Sequence, residues 1–274
     1  MHDIIFWIHF VQAFNAITKE TSLTINDPAL ERLHEMLYGA RQVVFFTGAG
    51  ISTESGIPDF RSPGGIWTKY KPIEFQDFVS SEEMRRESWR RKFKTDEVVS
   101  VAEPNDGHKA IALFSKNGLA SSVITQNIDG LHQRSGVPDK QVIELHGNGT
   151  YAACLNCRKR FELQEIRQLF KINTKIPACD ACGGIIKTAT ISFGQPMPEA
   201  ELLRAEKETL ACDLFFVVGS SLAVYPAAGL PILAKRNGAI LIILNREPTG
   251  LDNTANLVLN REIGPTLGKL VYIE

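Results

Sequence analysis

Two cysteine pairs, Cys154-Leu155-Asn156-Cys157 and Cys179-Asp180-Ala181-Cys182, constrain this chain more than any other feature. Two residues between the cysteines of a pair let both sulfurs turn inward on one tight knuckle. Two such knuckles, separated by 21 residues, make a closed tetrahedral sulfur cage of the kind that suits zinc. The spacing is close to that of a zinc ribbon. Four thiolates leave no coordination position for water. One structural zinc per chain is therefore expected on Cys154, Cys157, Cys179 and Cys182, with the chemistry elsewhere. Two disulfides or free thiols are the bland alternative. The fifth cysteine, Cys212, lies in an apolar segment and reads as a buried small hydrophobe. An odd count with clustered pairs fits a reducing compartment, so a cytoplasmic location is expected.

The 274 residues suit one large domain, or one large domain carrying a small one. The net charge of −1 provides no basic field for nucleic acid or an anionic membrane, so neither is expected as a partner. The opening run Ile4-Ile5-Phe6-Trp7-Ile8-His9-Phe10-Val11 is too short to span a bilayer. It lacks the basic flank and small-residue cleavage site of a signal peptide. An extra packing helix, a mobile arm and an over-long start all remain open for residues 1–26.

From Asp27 onward, apolar runs alternate with helical patterns. The runs are Val43-Val44-Phe45-Phe46, Ser122-Val123-Ile124-Thr125, Leu214-Phe215-Phe216-Val217-Val218 and Ile240-Leu241-Ile242-Ile243-Leu244. Helical patterns cover Gly107 to Lys116 and Pro226 to Asn237. Continuous apolar strands between helices predict an α/β fold with a Rossmann-like, doubly wound parallel sheet. The cysteine pairs interrupt it, so 149–188 is expected to form a small zinc-ribbon subdomain with a helix at Leu163 to Phe170. Residues 27–148 and 189–274 are then the Rossmann-type, nucleotide-binding domain. Ligands of such sheets sit at the carboxyl ends of the strands.

Those ends carry the residues of chemical interest. Thr47-Gly48-Ala49-Gly50-Ile51-Ser52 follows a strand, and its glycines would admit a pyrophosphate against the backbone. Thr53 occupies the third glycine position of the usual fingerprint, so a tight structural turn is an equal reading. Asp59, Phe60 and Arg61 add an acid, a ring and a guanidinium side by side, a set suited to phosphate and sugar. Gln126, Asn127, Ile128 and Asp129 cluster donors and acceptors that match a carboxamide such as nicotinamide. His146, after the strand-like Gln141-Val142-Ile143, is a candidate general base. A lone histidine is also commonly structural.

Taken together, these residues resemble the sirtuin family. Gly48 to Ser52, Ser55 to Arg61, Thr125 to Asp129, Leu145-His146-Gly147, the cysteine pairs, Phe193-Gly194, Gly219-Ser220-Ser221-Leu222 and Asn245 occur in family order. The resemblance runs from about Asp27 to the C-terminus. It implies NAD as cosubstrate and removal of acyl groups from protein lysine side chains. It places Gly48, Ala49, Gly50, Ser52, Asp59, Phe60 and Arg61 on the cofactor, with Gln126 at the ribose and Asn127, Ile128 and Asp129 around nicotinamide. Gly219, Ser220, Ser221, Asn245 and Ile263 surround the adenosine half. His146 is the implied base, and Asn127 joins it in catalysis. Ile191, Phe193 and Gly194 face Ala223, Val224 and Tyr225 across the implied bed for an acyl-lysine peptide, a strand-addition mode. The implied reaction releases nicotinamide and O-acetyl-ADP-ribose.

Two departures stand out. Family members that prefer malonyl or succinyl groups carry a Tyr-x-x-Arg pair where this chain has Glu87-Ser88-Trp89-Arg90-Arg91-Lys92-Phe93, which favours an uncharged acyl group. Gln195 stands where many members have Glu. The competing readings are a mono-ADP-ribosyltransferase at the same site and a non-catalytic zinc-ribbon binding module. A dehydrogenase is weaker still, because a closed cysteine cage has no Lewis-acid position. The sequence leaves the oligomeric state open.

Overall fold

The computed structural model describes residues 27–60, 65, 68, 70–173 and 178–271. Arg61 and residues 1–26 lie outside the described residues. In chain order the elements are α1 (Pro28–Gly39), β1 (Val43–Thr47), α2 (Phe75–Ser80), α3 (Glu82–Val99), α4 (Asp106–Lys116), β2 (Ala120–Thr125), α5 (Leu131–Arg134), β3 (Val142–Glu144), β4 (Gly147–Cys154) and β5 (Arg160–Glu162). Then come α6 (Leu163–Asn173), β6 (Ile186–Thr190), α7 (Glu199–Ala211), β7 (Leu214–Val218), α8 (Leu230–Arg236), β8 (Ile240–Leu244), β9 (Leu257–Leu259) and α9 (Ile263–Val271).

Six strands form one parallel sheet in the order β3-β2-β1-β7-β8-β9. That is the doubly wound order, with the direction of winding reversing between β1 and β7. All five residues of both β1 and β7 are buried, because helices cover both faces of the sheet. Phe45 and Phe216 meet at 5.4 Å on one face, and Phe46 and Phe215 at 5.7 Å on the other. Each fully buried ring contributes about 1.5–3 kcal/mol. α1 begins where Asp27 accepts the N–H groups of Ala29 and Leu30, and it buries Leu30, Leu33 and Leu37. Cys212 is buried, and burial pushes its thiol up to about 12, as expected of a small hydrophobe.

A second sheet, β5-β4-β6, is antiparallel. Its β4 begins at Gly147, next to His146, and ends on Cys154. α6 packs beneath it through Ile166, in a cluster with Trp89, Ala152, Cys154, Cys179 and Ile186. This sheet therefore links the cysteine knuckles directly to the carboxyl end of the large one.

Candidate active site

A cavity of about 670 Å³ opens at the reversal point, over the ends of β1, β2, β7 and β8. Gly48, Ala49, Gly50, Asp59, Phe60, Gln126, Asn127, Ile128, His146, Gly219, Ser220, Ser221, Asn245 and Ile263 all line it. So do Ile191, Phe193, Gly194, Val224 and Tyr225. Its floor exists because two loops approach unusually closely. Gly219 has φ +65°, and a Cβ there would sit 2.4 Å from the Ile51 nitrogen. A Cβ on Gly50 would in turn meet the Gly219 Cα at 2.8 Å. Glycine is needed on both sides of that contact. The segment after β1 is a 3-10 helix, Ala49–Ser55, rather than the α-helix of the usual nucleotide fold.

Two predicted residues lie beneath the surface rather than on it. The Ser52 hydroxyl donates to Asp129 Oδ2 at 2.7 Å, and Asp129 Oδ1 accepts the Leu131 N–H at 2.9 Å. Burial lifts the Asp129 carboxyl above its ordinary range, against those bonds. Asn127 Nδ2 donates to the Gly48 carbonyl at 3.0 Å and to Ser52 Oγ at 3.2 Å. Both of its amide hydrogens are thereby used, and Oδ1 is left as its acceptor. Ser52 and Asp129 thus act on the cavity through Asn127. On the neighbouring wall, Gln126 Nε2 donates to Ser220 Oγ at 2.7 Å. Asn245 Nδ2 holds the Glu247 carbonyl at 2.7 Å, turning the loop after β8.

His146 has a defined tautomer. Its Nδ1 lies 3.0 Å from the Gln126 carbonyl, which only accepts. The proton is therefore on Nδ1, and Nε2 carries the basic lone pair. The backbone on either side of it is fixed. The Ile191 N–H donates to the His146 carbonyl at 2.8 Å. Gly147 has φ +71° and pairs with Thr190.

The four cysteine sulfurs lie within 4.8 Å of one another, with Cys154–Cys182 at 3.5 Å and Cys157–Cys179 at 3.7 Å. A tetrahedral zinc with sulfurs at about 2.3 Å needs S···S separations of about 3.8 Å. The backbone N–H groups of Cys157 and Asn156 hold the Cys154 thiol below its ordinary value. At Cys182 the Gly184 N–H acts in the same sense, but the neighbouring Cys157 and Cys154 outweigh it and hold the thiol up at about 12. Four adjacent thiolates need a cation, and the cage fits one zinc.

The helix that carries Trp89 turns away from the cavity. Trp89 is buried against Phe93 at 5.4 Å, and Phe93 against Phe170 at 5.4 Å. Arg90 and Arg91 both pair with Glu87, and Lys92 pairs with Asp96. Among the described residues lining the cavity, none comes from α3. Gln195 closes its own turn, with its Oε1 accepting the Ser192 N–H at 3.2 Å.

Thr53, Met197, Arg246, Glu247, Arg261 and Glu262 line the cavity as well. Thr53 was visible as the break in the glycine fingerprint, and its hydroxyl donates to the Gly50 carbonyl at 2.8 Å. Arg261 pairs with Asp27, 234 positions away, and no local pattern marks such a partner.

Fold and cavity together define a dinucleotide-binding α/β protein with a metal-stapled insert. The cavity volume lies within the range of small-molecule sites, and its wall mixes amides and hydroxyls with Phe60, Ile128 and Val224, so these residues fit NAD. The model of the Sir2 family matches residues 48–226. An NAD-dependent protein deacetylase 1 of Bradyrhizobium diazoefficiens is 54% identical over 242 residues, which are 88% of this chain and 95% of that one. A solved Sir2 complex with a p53 peptide and NAD+ superimposes with TM-score 0.80 at 34% identity, covering 88% of this chain and 97% of the other. A Sir2 structure with deacetylated p53 peptide and 3′-O-acetyl ADP ribose gives TM-score 0.81 at 36% identity, with coverages of 88% and 96%. This chain belongs to the Sir2 family.

Proposed function

We propose that this protein is an NAD-dependent protein-lysine deacetylase, moving the acyl group of a modified lysine onto ADP-ribose and releasing nicotinamide. The observation that carries the reading is His146. Its Nδ1 proton is committed to Gln126, so Nε2 is a base inside a dinucleotide-sized cavity. The Bradyrhizobium relative and the two Sir2 complexes support the same reaction.

Bound NAD supplies an electrophilic ribose carbon with nicotinamide as leaving group, and it is consumed. The protein's residues bind, orient and exclude water. Gly48, Ala49 and Gly50 give the dinucleotide a close backbone approach, with Asp59 and Phe60 beside it. Asn127 presents Oδ1 and Ile128 an apolar wall at the nicotinamide end, with Ser52 and Asp129 holding Asn127 from below. Gln126 takes the ribose, and Ser220, Ser221, Asn245 and Ile263 the adenosine half. His146 Nε2 receives the proton released during acyl transfer. An amide oxygen is a weak nucleophile, so alignment and a dry cavity must supply much of the acceleration.

The substrate is an acyl-lysine-containing protein segment lying between Ile191, Phe193 and Gly194 on one side and Val224 on the other. Phe193 and Tyr225 are exposed apolar side chains at this mouth, which supports a peptide bed. The location we favour is cytoplasmic. Among the described residues no helix is long and apolar enough to cross a membrane.

The test is mass spectrometry of an acetyl-lysine peptide incubated with NAD. Loss of the acetyl mass with nicotinamide release is expected. A gain of ADP-ribose on the peptide would make the protein a transferase instead. His146→Ala should lower the deacetylation rate by about 10²–10⁴ while retaining zinc and most NAD affinity.

A further inference from the structure

Lys187 is a buried cation on β6 that the proposed chemistry leaves unused. It is 4% exposed, and burial pushes its ammonium down to about 8. Its Nζ donates to the Thr190 carbonyl at 2.6 Å, three residues further along the same strand. Nζ also lies 5.8 Å from the centre of the Phe78 ring on α2, within cation–π range. β6 is an edge strand of the small sheet. Its last residue, Thr190, pairs with Gly147 beside His146 and leads into Ile191, Ser192 and Phe193 along the cavity wall. α2 reaches the same segment independently, because the Phe75 N–H donates to the Phe193 carbonyl at 2.8 Å. One ammonium therefore touches the strand that enters the peptide bed and the helix that braces it.

We propose that Lys187 is a positioning residue: it fixes the Thr190 backbone, and hence the edge offered to the acyl-lysine peptide, so that its loss weakens peptide capture more than turnover. This rests on the deacetylase reading, with the peptide beside Ile191 and Phe193. A merely structural role predicts something else. The stem of Lys187 lies in the interior and its ammonium is desolvated there, so an apolar side chain of similar length removes a costly buried charge along with the hydrogen bond. Lys187→Met should keep the melting temperature and zinc content of the wild type.

Steady-state kinetics on an acetyl-lysine peptide, with wild type, K187M and K187R side by side, test this. The expected result for K187M is a KM for peptide raised about tenfold, the scale of one charge-assisted hydrogen bond. Its KM for NAD should stay at the wild-type value, and kcat should change less than peptide KM. K187R keeps a cationic donor and should recover most of the peptide KM. A K187M enzyme with wild-type peptide KM overturns the proposal. So does one whose melting temperature, NAD KM and kcat fall together, which would make Lys187 a stability residue. If the wild type itself releases no acetyl group with NAD, the deacetylase reading has failed, and that outcome is separate from either result for Lys187.

Discussion

Gly147 is the position where a single methyl group should do the most damage at a distance from every proposed ligand contact. It follows the proposed base and sits at φ +71°, a region that costs an L-residue about 1–2 kcal/mol. A Cβ there would lie 2.1 Å from the Ala189 carbonyl oxygen. An ordinary C···O approach is about 3.3 Å, so β4 and β6 must part by about 1 Å. The bond from the Ile191 N–H to the His146 carbonyl, 2.8 Å long, lies in the path of that shift and contributes about 1 kcal/mol. Gly147→Ala should then destabilise by about 2–3 kcal/mol in all. A displacement of about 1 Å at a catalytic group can lower the rate about 100-fold. The assay is kcat/KM on an acetyl-lysine peptide, with melting temperature and zinc content measured on the same samples. Gly118→Ala is the control, since Gly118 has φ +78° but nothing within 4 Å of its added carbon. It should show the backbone strain and keep its kcat/KM. A Gly147→Ala enzyme with wild-type kcat/KM would refute the crowding argument, and equal losses in the two variants would refute the claim that crowding adds to strain.

Cys154→Ala should lose zinc, melting temperature and activity together, as metal analysis and thermal denaturation will show; retained stability with lost turnover would contradict a structural metal. Catalytic efficiency should be higher on acetyl-lysine than on succinyl-lysine peptides, because Arg90, Arg91 and Lys92 of α3 are paired with carboxylates of their own helix; a tenfold succinyl preference, about 1.4 kcal/mol, would reverse this. Stability should fall on acidification, because burial pushes His108 down to about 4 and His132 well below its ordinary value. The unfolded imidazole takes its proton near 6.5 and the folded one only near 4, so this contribution is intact above about pH 6.5 and declines towards pH 4. At about pH 5 His108 alone should account for about 2 kcal/mol, read from urea midpoints between about pH 7.5 and 5; a flat profile would contradict it.

The large sheet was legible because its strands are buried on both faces. β7 and β8 coincide with the apolar runs Leu214–Val218 and Ile240–Leu244, each closed by a residue that turns the chain, Gly219 or Asn245. β9 was not read, since three residues carry no periodicity. β4, β5 and β6 were also missed. β4 reads Gly-Asn-Gly-Thr-Tyr-Ala-Ala-Cys, with little apolar pattern, because pairing with two strands and the cysteine knuckles hold it while Ala152 and Cys154 alone of its residues enter the small apolar cluster. The helix expected from Pro226 to Asn237 divides into a 3-10 turn, Ala227–Gly229, and α8, with Pro231 admitted in its first turn. Site residues in glycine-rich or amide-rich runs at strand ends were visible. The depth of Ser52 and Asp129 was not, because a hydroxyl–carboxylate bond across 77 positions has no local signature.

The two sheets explain why a metal that performs no chemistry matters to the reaction. β4 starts at Gly147 and finishes on Cys154, while β6 starts at Ile186, four residues after Cys182, and finishes on Thr190. The knuckles close one end of this strand pair. The other end holds His146 through the Ile191 N–H and opens into Ile191 and Phe193. Pairing across the strands is irregular between Gly147 and Ala152, so the ladder alone fixes the far end poorly. Clamping is supplied from both ends: by the sulfur cage at Cys154 and Cys182, and by the Gly147–Thr190 pair with Lys187 on the Thr190 carbonyl. Removing the cage should unfold its end and loosen the His146 geometry, whereas removing Lys187 frees the peptide edge and should raise the peptide KM more than it lowers kcat.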